Sequence, residues 1–386
     1  MAYSNQALEL KYYIQEGISP VHYKISNLEE HLQIRESLYR LLGILPNFIE
    51  NREILEVAPG SGHNSFFTAY LLPKSYDLVE PNPKGQLDII RNFKKLKIKH
   101  TKPRLHKKAI ENFNTKKKYD LVMTEGWPGG YLKYDKKMLK KISSFVKPGG
   151  MLFISFLPPS GTISTCIRRL IGKRLINNKQ TLNEKTDILK KSFSSHLYTM
   201  QSMTRSHEHW IQDSLLNPYI NLAHNNPSIA LNVLGKKFEI YNSVPKLNLD
   251  WRWYKSIHGK NKFWNEIFLK NYFSMSHCLI DYRIDNYKRS LKKNENLENL
   301  CMKFILLANK YENSGIKNYK NKLRPILLQI IKNIKGDLPK STTEGIIEAD
   351  KILLKTDLDP IKISSMKKFI SLFGREQCYL TFTKKK

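Results

Sequence analysis

The residues best suited to hold a ligand lie in one short glycine-containing loop, Glu56-Val-Ala-Pro-Gly-Ser-Gly62. The loop follows an apolar run over 54–57 and leads into a helical pattern, an arrangement that brings backbone N–H groups close to a bound nucleotide. A second run, Tyr76-Asp-Leu-Val-Glu80, ends in a carboxylate about one helix later. Nucleotide-binding βαβ units hold two ribose hydroxyls at that position. The spacing therefore predicts a site for an adenosine-containing cofactor.

The residue types around the loop favour S-adenosylmethionine over a dinucleotide. Loops that bind NAD or FAD have a third glycine three positions after the second, where this chain has Ser65. Glu56 stands in the strand before the loop. S-adenosylmethionine carries an ammonium and a sulfonium but no phosphate, so a carboxylate there would attract it and would repel a pyrophosphate. The loop therefore indicates methyl transfer.

Residues 52–156 resemble the core of the class I S-adenosylmethionine-dependent methyltransferases. Four segments carry the resemblance in the family's order: Glu56–Gly62, with Ala58 in place of the first glycine; the strand ending in Glu80; Tyr119–Glu125; and Lys147-Pro-Gly-Gly150 followed by Met151–Phe156. The resemblance implies an α/β fold, a Rossmann-like sheet with helices on both faces. It also implies that the cofactor is held by Glu56, Ala58, Gly60, Gly62 and Glu80.

The third predicted strand lacks the acidic residue with which this family often meets the adenine. The position that matches it, within His106-Lys-Lys-Ala-Ile110, is Lys108. Backbone groups near Ala109 and Ile110 are therefore expected to contact the adenine instead.

Methyl transfer is an in-line displacement, so the protein mainly orients the acceptor and removes its proton. Glu125 follows the fourth strand, at the edge where open α/β sheets bind ligands, and is a candidate contact to cofactor or acceptor. The alternative is a carboxylate that only satisfies nearby amides. The segment 124–130 does not match the Asn/Asp-Pro-Pro-aromatic motif, which argues against adenine-N6-type methylation. His63 either faces the methionine part of the cofactor or, with Asn64, caps the next helix.

A third candidate lies well beyond the loop in sequence. Ser206 or Thr204 can cap a helix on which His209 and Asp213, four residues apart, share a face. That pair would serve as a general base with its orienting carboxylate, and His207 is a second candidate base. Isolated pairs of this kind are more often solvated or structural. A metal would need a further ligand, so no metal site is predicted.

Asp250-Trp-Arg-Trp-Tyr-Lys255 is the remaining conspicuous run. In an extended strand Trp251 and Trp253 would share one face, with Tyr254 on the other. Aromatic platforms beside a cation suit sugar rings or nucleobases, but two tryptophans at this spacing are more often core residues. The pattern therefore favours burial.

The alternation of elements predicts four parts. Residues 1–50 form an N-terminal helical segment, of the kind that in class I enzymes commonly closes over the cofactor. Residues 51–157 form the Rossmann-like core, and residues 158–370 form a mostly helical inserted substrate lobe. Residues 371–386 add a strand that returns to the core sheet, antiparallel and beside the fifth. A chain of 386 residues exceeds one typical domain, which agrees with such an insertion.

The net charge of +31 invites a nucleic-acid interpretation, because clustered cations neutralise phosphates. Most of the cations are Lys, however, and they are spread along a chain that is also rich in Asn and Ile. An A+T-rich genome would impose the same bias on solvated faces. Nucleic-acid modules favour Arg with interleaved aromatics, so charge alone does not favour a nucleic-acid partner.

The sequence predicts a cytoplasmic protein with reduced thiols. No window has the roughly 18 uninterrupted apolar residues needed to span a bilayer, and the first residues lack an apolar signal region. The four cysteines are scattered without the spacing of metal ligands.

A further set of segments resembles a group of large bacterial class I methyltransferases associated with surface-glycan and nonulosonate-type sugar genes. They are Ser19–His22, Leu38–Gly43, Gly60–Ser65, Glu80–Pro83, Trp210–Asp213, Asp250–Lys255 and Phe373–Gln377. This resemblance implies an acceptor hydroxyl or amine on a sugar or surface-glycan precursor, a small-molecule or glycan substrate. Glu125 and the segment 207–213 would form the acceptor side. Two alternatives stay open: an RNA methyltransferase, and a non-catalytic partner protein of the same fold.

Overall fold

The computed structural model describes residues 8–19, 23, 25, 27–126, 133–201, 203–218, 227–311 and 315–386. Strands and helices within these ranges are numbered in chain order. The strands are β1 Glu53–Val57, β2 Ser75–Val79, β3 Arg104–His106, β4 Tyr119–Thr124, β5 Val146–Phe156, β6 Phe238–Val244 and β7 Cys378–Lys384. The helices are α1 Leu8–Gln15, α2 Leu28–Leu41, α3 Ser65–Tyr70, α4 Pro83–Lys95, α5 Lys133–Ser144, α6 Pro159–Lys173, α7 Leu182–Leu197, α8 His207–Ile211, α9 Pro227–Leu234, α10 Trp264–Met275, α11 Leu291–Tyr311, α12 Gly315–Asn318, α13 Arg324–Ile334, α14 Lys340–Leu353 and α15 Pro360–Ser364.

All of these strands join one sheet in the order β3-β2-β1-β4-β5-β7-β6. Strands β1 to β5 are parallel, whereas β7 runs antiparallel to β5 and to β6. The register pairs Ile154 of β5 with Leu380 of β7. The predicted Rossmann-like class I fold is confirmed, including the antiparallel C-terminal strand beside β5.

The apolar runs of the sequence become the buried centre of this sheet. Every residue of β1 after Glu53 is buried, and so is every residue of β2 after Ser75. Parallel strands that carry helices on both faces are expected to be apolar throughout, because neither face meets water. The strand order reverses between β1 and β4, and ligands of open α/β sheets bind at the carboxyl edge beside such a reversal.

The chain forms two compact units. The first contains the described residues within 1–156, 224–272 and 377–386, and the second contains those within 157–223 and 273–376. The sequence suggested one uninterrupted insertion over 158–370. The structure differs because residues 224–272 contain β6. This strand pairs with β7 and therefore belongs to the sheet of the first unit.

The second unit is helical and contains a fully buried arginine, Arg168. The Arg168 guanidinium donates to the carbonyl oxygens of Phe369 at 3.0 Å and Leu372 at 2.8 Å. It also lies 4.4 Å from the ring centroid of Phe369 and 3.7 Å from that of Phe373. Burial lowers the pKa of Arg168 to about 9. The cation is retained because carbonyl dipoles and ring faces replace part of its hydration.

Within the described part of the chain, no helix has the length and apolar character needed to cross a membrane. The four cysteines, Cys166, Cys278, Cys301 and Cys378, are all buried and unbridged.

Candidate active site

The glycine loop turns sharply because three of its residues adopt left-handed backbone conformations. The φ angles are +55° at Ala58, +60° at Gly60 and +77° at Gly62. A Cβ on Gly62 would lie 2.9 Å from Cγ1 of Ile89, so glycine also allows the loop to pack against α4. Ala58 adopts this conformation at a cost of about 1–2 kcal/mol that glycine would avoid. Ala58 therefore adopts a backbone conformation that favours glycine, at the position where the sequence resemblance expects one.

Glu80, just beyond β2, is bound directly to this loop. Its Oε2 accepts the Gly60 N–H at 2.8 Å, and its Oε1 accepts the Asn82 N–H at 2.8 Å. Burial raises the pKa of Glu80 to about 7, even though both N–H groups favour its charged form. A Cβ on Gly85 would lie 2.8 Å from the Gly60 carbonyl oxygen, so α4 also begins against the loop. Glu80 therefore holds the glycine loop through its hydrogen bond with the Gly60 N–H.

Glu56, the next-to-last residue of β1, is a second buried carboxyl in this region. The Tyr76 hydroxyl donates a hydrogen bond to it. Burial raises the pKa of Glu56 to about 7, and the negative charge of Glu125 contributes. Near neutral pH, Glu56 and Glu80 are therefore each present in both protonated and ionised forms.

Glu125 follows β4 and forms a buried, bidentate ion pair with Arg35 of α2. Arg35 Nη1 donates to Oε2 at 3.0 Å, and Nη2 donates to Oε1. Asn64 Nδ2 also donates to Oε2, at 3.2 Å. The side chains of Arg35 and Glu125 are only 6% and 11% exposed. The Asn64 amide matches the alternative of a carboxylate that satisfies nearby amides, whereas the ion pair with Arg35 goes beyond it. The rest of the segment 124–130, at 127–130, lies outside the described residues.

Three buried polar residues of helix α2, spaced four apart, contact residues 63, 125 and 68 of the first unit. His31 Nε2 lies 3.0 Å from the His63 carbonyl oxygen, Arg35 pairs with Glu125, and the Tyr39 hydroxyl lies 2.7 Å from Oγ1 of Thr68. These three are the buried residues of the helix. The sequence placed them in a helical pattern but did not identify them as part of a site. The available signal was the polar residues at i, i+4 and i+8 inside the buried stripe.

His63 is buried in a hydrogen-bonded position beside the loop. Its Nδ1 lies 2.7 Å from the Ser61 Oγ, and its Nε2 lies 3.3 Å from the Asn92 Nδ2. Asn64 occupies the N-cap position of α3 but makes no capping hydrogen bond, so the capping interpretation is wrong for that residue. Its amide binds Glu125 instead. A cofactor contact by His63 stays a prediction.

Ala109 follows β3 on the same carboxyl edge of the sheet as the glycine loop, because Val79 and His106 are paired in parallel strands. Ala109 is half-buried, and Lys108 is exposed. The adenine contact near Ala109 stays a prediction.

The His209 and Asp213 candidates lie in the second unit, where Ser206 caps α8 as predicted. Asp213 accepts from Arg205 Nη2 at 2.8 Å, and His209 Nδ1 bonds the Ser206 Oγ. The chain changes to a π-helix at Gln212, so the regular α-helical spacing assumed for His209 and Asp213 does not hold. Arg205 is thus the partner of the Asp213 carboxylate, and the sequence did not indicate this pair. The ring of His207 packs edge-on against Tyr198 at 4.5 Å.

Trp251 and Trp253 lie on the surface, so the expected burial is wrong. They are 96% and 64% exposed. The run is not a strand, because the chain turns into a short 3-10 helix at Tyr254–Ser256. Strand spacing alone did not reveal that turn.

Among the described residues, no group of three or more His, Cys, Asp or Glu side chains is arranged to hold a metal ion.

Comparison with known proteins adds one sequence relationship. No protein-family model matches the chain. Ribosomal RNA small subunit methyltransferase G from two strains of Campylobacter jejuni is 27% identical over 135 residues, which cover 34% of this chain and 66% of the relative. The chain thus spans just under two thirds of the length of that relative.

Solved structures of methyltransferases also overlap parts of the chain. An S-adenosylmethionine-dependent methyltransferase from Clostridium acetobutylicum is 20% identical, with a TM-score of 0.27, over 35% of this chain and 59% of that one. Magnesium protoporphyrin IX methyltransferase from Synechocystis, with bound S-adenosylmethionine, is 14% identical, with a TM-score of 0.32, over 41% of this chain and 78% of that one. The strand order, not these overlaps, identifies the fold.

Replacing Arg35 with methionine is expected to cost about 3–5 kcal/mol of unfolding free energy, because it leaves the Glu125 carboxylate buried without its cation. The matched control on the same helix is Arg40→Met, since Arg40 is 77% exposed and its pair with Glu36 should contribute less than about 1 kcal/mol. Urea unfolding followed by circular dichroism measures both. Adding Glu125→Gln to Arg35→Met should recover much of the loss. Equal losses from the two arginine variants would contradict a structural role for the buried pair.

The pKa of Glu56 predicts how stability depends on pH. An acid whose folded pKa is raised from 4.5 to about 7 holds its proton more tightly when folded, so its contribution is greatest below pH 4.5 and is lost as pH rises to 7. The loss is up to about 3 kcal/mol for each such carboxyl. Glu56→Gln keeps an acceptor for Tyr76 and should therefore gain stability over the native protein between pH 5 and pH 8, measured as thermal midpoints. A constant difference between Glu56→Gln and the native protein across this range would refute the shifted titration.

Proposed function

We propose that this protein is an S-adenosylmethionine-dependent methyltransferase. The observation that carries the proposal is the Glu80 carboxylate, fixed to the Gly60 N–H at the carboxyl edge of the sheet. Each Glu80 oxygen accepts one backbone hydrogen bond and keeps a further lone pair with which to accept a ribose hydroxyl. The strand order reverses beside this position, where open α/β sheets bind their ligands.

The charge of the site supports a cationic cofactor rather than a pyrophosphate. Two buried carboxyls, Glu56 and Glu80, and the mostly buried Glu125 line the ends of β1, β2 and β4, and Arg35 is paired with Glu125. Once ionised, Glu56 and Glu80 leave an excess of negative charge in a region of low dielectric. The ammonium and sulfonium of S-adenosylmethionine would be attracted there, whereas a phosphate would be repelled.

The chain's own residues suggest separate roles around the transferred group. When bound, the cofactor would supply an activated methyl group for in-line displacement by the acceptor atom. Glu56, Ala58, Gly60, Gly62, Glu80 and Ala109 are proposed to hold the cofactor, with His63 beside its methionine part. Glu125 has both oxygens engaged by Arg35 and Asn64, which suits orienting a ligand better than taking a proton. His209 or His207 is kept as the proposed base, with Asp213 near it in sequence.

For the acceptor we propose a hydroxyl or amine of a sugar or surface-glycan precursor, which the sequence resemblance implies. The proposal is supported by the absence of the base-amine motif after β4. RNA is the second candidate, favoured by the 27% identity with an rRNA methyltransferase and by the net charge of +31. A non-catalytic role in a partner complex is the remaining alternative.

Substituting Glu80 with alanine should weaken S-adenosylmethionine binding at least tenfold, because two charge-assisted hydrogen bonds to the ribose are removed. The matched control is Asp77→Asn, since Asp77 is a buried carboxylate of the same strand that binds His106 and Lys117 instead of the loop. Titration calorimetry measures the affinity, and circular dichroism confirms that each variant is folded. Unchanged affinity in Glu80→Ala would remove the basis of the proposed cofactor site.

The acceptor class can be determined with cofactor labelled in the methyl group. The protein is incubated with the sugar-nucleotide and glycan fraction, and separately with the RNA fraction, of source cells that lack the gene. We expect label in the sugar fraction, lost with Glu80→Ala. Label in RNA would assign the second candidate. Cofactor binding without label in either fraction would support the non-catalytic alternative and contradict the proposed transferase activity.

A further inference from the structure

The exposed tryptophans lie in a segment with an unusual concentration of aromatic side chains on the surface. We call residues 251–264 the aromatic-basic loop. Three of the chain's five tryptophans occur in it. Its exposed aromatic residues are Trp251 at 96%, Tyr254 at 72%, Trp253 at 64%, Phe263 at 50% and Trp264 at 41%. Core packing does not explain side chains of this size in water, since each leaves a large apolar area unburied.

Cations lie among these rings. Arg252, Lys255, Lys260 and Lys262 lie within the loop, which contains no Asp or Glu. The nearest acidic residue before it, Asp250, is bound by Arg252 through a bidentate ion pair. The three lysines are exposed. The loop therefore presents a positive surface to a ligand, unlike a uniformly apolar contact patch.

The loop is held in this form by the first unit. The Asn271 side chain donates to the Leu249 carbonyl oxygen at 2.8 Å, just before the loop. Asn265, just after it, accepts from the Ile240 N–H at 2.8 Å and donates to the Phe238 carbonyl oxygen at 3.1 Å. Both ends are thus fastened, one of them to β6. A ligand would meet rings already in place, with little ordering cost on binding.

The interior of the loop is ordered as well. The Ser256 Oγ donates to the Trp253 carbonyl oxygen at 2.7 Å. The Lys255 ammonium lies 5.1 Å from the Trp253 ring centroid and 5.9 Å from that of Tyr254. A cation beside a ring face is the arrangement that holds a phosphate next to a stacked base.

We propose that the aromatic-basic loop binds single-stranded RNA, stacking unpaired bases on its aromatic rings and pairing its lysines with phosphates. The proposal rests on the RNA candidate of the proposed function and adds the surface that would hold such a substrate. Several rings and several cations spread along one segment match a polymer in which rings and anions repeat. Stacking is tolerant of sequence because every base has a π-face.

A membrane surface fits the loop less well. Inserting Trp251 and Trp253 into a bilayer would carry the Arg252–Asp250 ion pair, which lies beside them in sequence, out of water. Desolvating both charges is costly, and their mutual attraction does not fully compensate. RNA leaves that pair hydrated while its bases cover the rings.

The test measures binding of a fluorescently labelled, unstructured RNA of about 20 nucleotides to the full chain, without cofactor. The variant Trp251→Ala/Trp253→Ala should bind at least tenfold more weakly, since stacking contributes about 1–3 kcal/mol per base. Tyr70→Ala is the matched control, because Tyr70 is an exposed aromatic of the same unit and lies outside the loop. An unchanged thermal midpoint would confirm that the variants fold.

The charge of the loop is tested by salt dependence. Lys260→Ala/Lys262→Ala should reduce the slope of log K against log salt by about 0.7 for each phosphate that the variant no longer neutralises. Lys97→Ala/Lys99→Ala removes the same charge from exposed positions elsewhere and should change the slope less.

Three results would overturn the proposal: RNA affinity that is unchanged in the tryptophan variant, equal affinity for duplex and single-stranded RNA, or tryptophan-dependent binding to anionic phospholipid vesicles with RNA affinity unaffected. Calorimetry with S-adenosylmethionine on the same samples separates this proposal from the proposed function. Failure to bind the cofactor would reject the methyltransferase and leave the RNA surface standing. Failure to bind RNA, with the cofactor bound, would reject only the surface.

Discussion

The first unit depends on a buried carboxylate that is bound by backbone rather than by a cation. Glu80 accepts N–H groups from Gly60 and Asn82, so it connects the loop after β1 to the turn after β2. Those two hydrogen bonds offset only part of the cost of burial, as the raised pKa of Glu80 shows. Because a Cβ on Gly85 of α4 would lie 2.8 Å from the Gly60 carbonyl oxygen, no side chain larger than hydrogen fits there without movement. Loop conformation, helix start and ligand-facing carboxylate are therefore coupled.

A second constraint follows from placing Glu56 and Glu125 on neighbouring strands of the same sheet. Burial and the charge of Glu125 both raise the pKa of Glu56, and Arg35, which pairs with Glu125, offsets only part of this rise. An arrangement of this kind is unfavourable for stability alone, because carboxyls buried without a cation weaken the fold as pH rises. It becomes favourable when a cationic ligand enters. Buried carboxyls that lower the stability of the fold but favour binding of a cation are typical of functional sites.

The sequence predicted well what depends on neighbours along the chain. The glycine loop, Glu80 and the strand at the C-terminus follow from short spacing rules, and the structure places them in one sheet. Contacts between distant segments were not accessible in the same way. Arg35 meets Glu125 across 90 positions, and only the polar i, i+4, i+8 pattern of α2 hinted at a partner. The burial expected for Trp251 and Trp253 is wrong because their alternating spacing predicted a strand. The chain instead turns into a 3-10 helix at Tyr254, so there is no strand face on which both side chains could be buried.

The exposed tryptophans also change what the basic composition means. Lysines distributed over a whole chain are also what an A+T-rich genome would produce, so their number alone does not indicate a partner. Lysines that lie between two groups of exposed rings, in a segment without acidic residues whose ends are fastened by Asn265 and Asn271, are a different observation. Composition sets how many cations a surface has, but not whether they lie beside large apolar side chains. Keeping those rings in water leaves hydrophobic area unburied in the free protein, and a stacked ligand would cover it. The local arrangement therefore supports a polyanionic partner where the net charge alone did not.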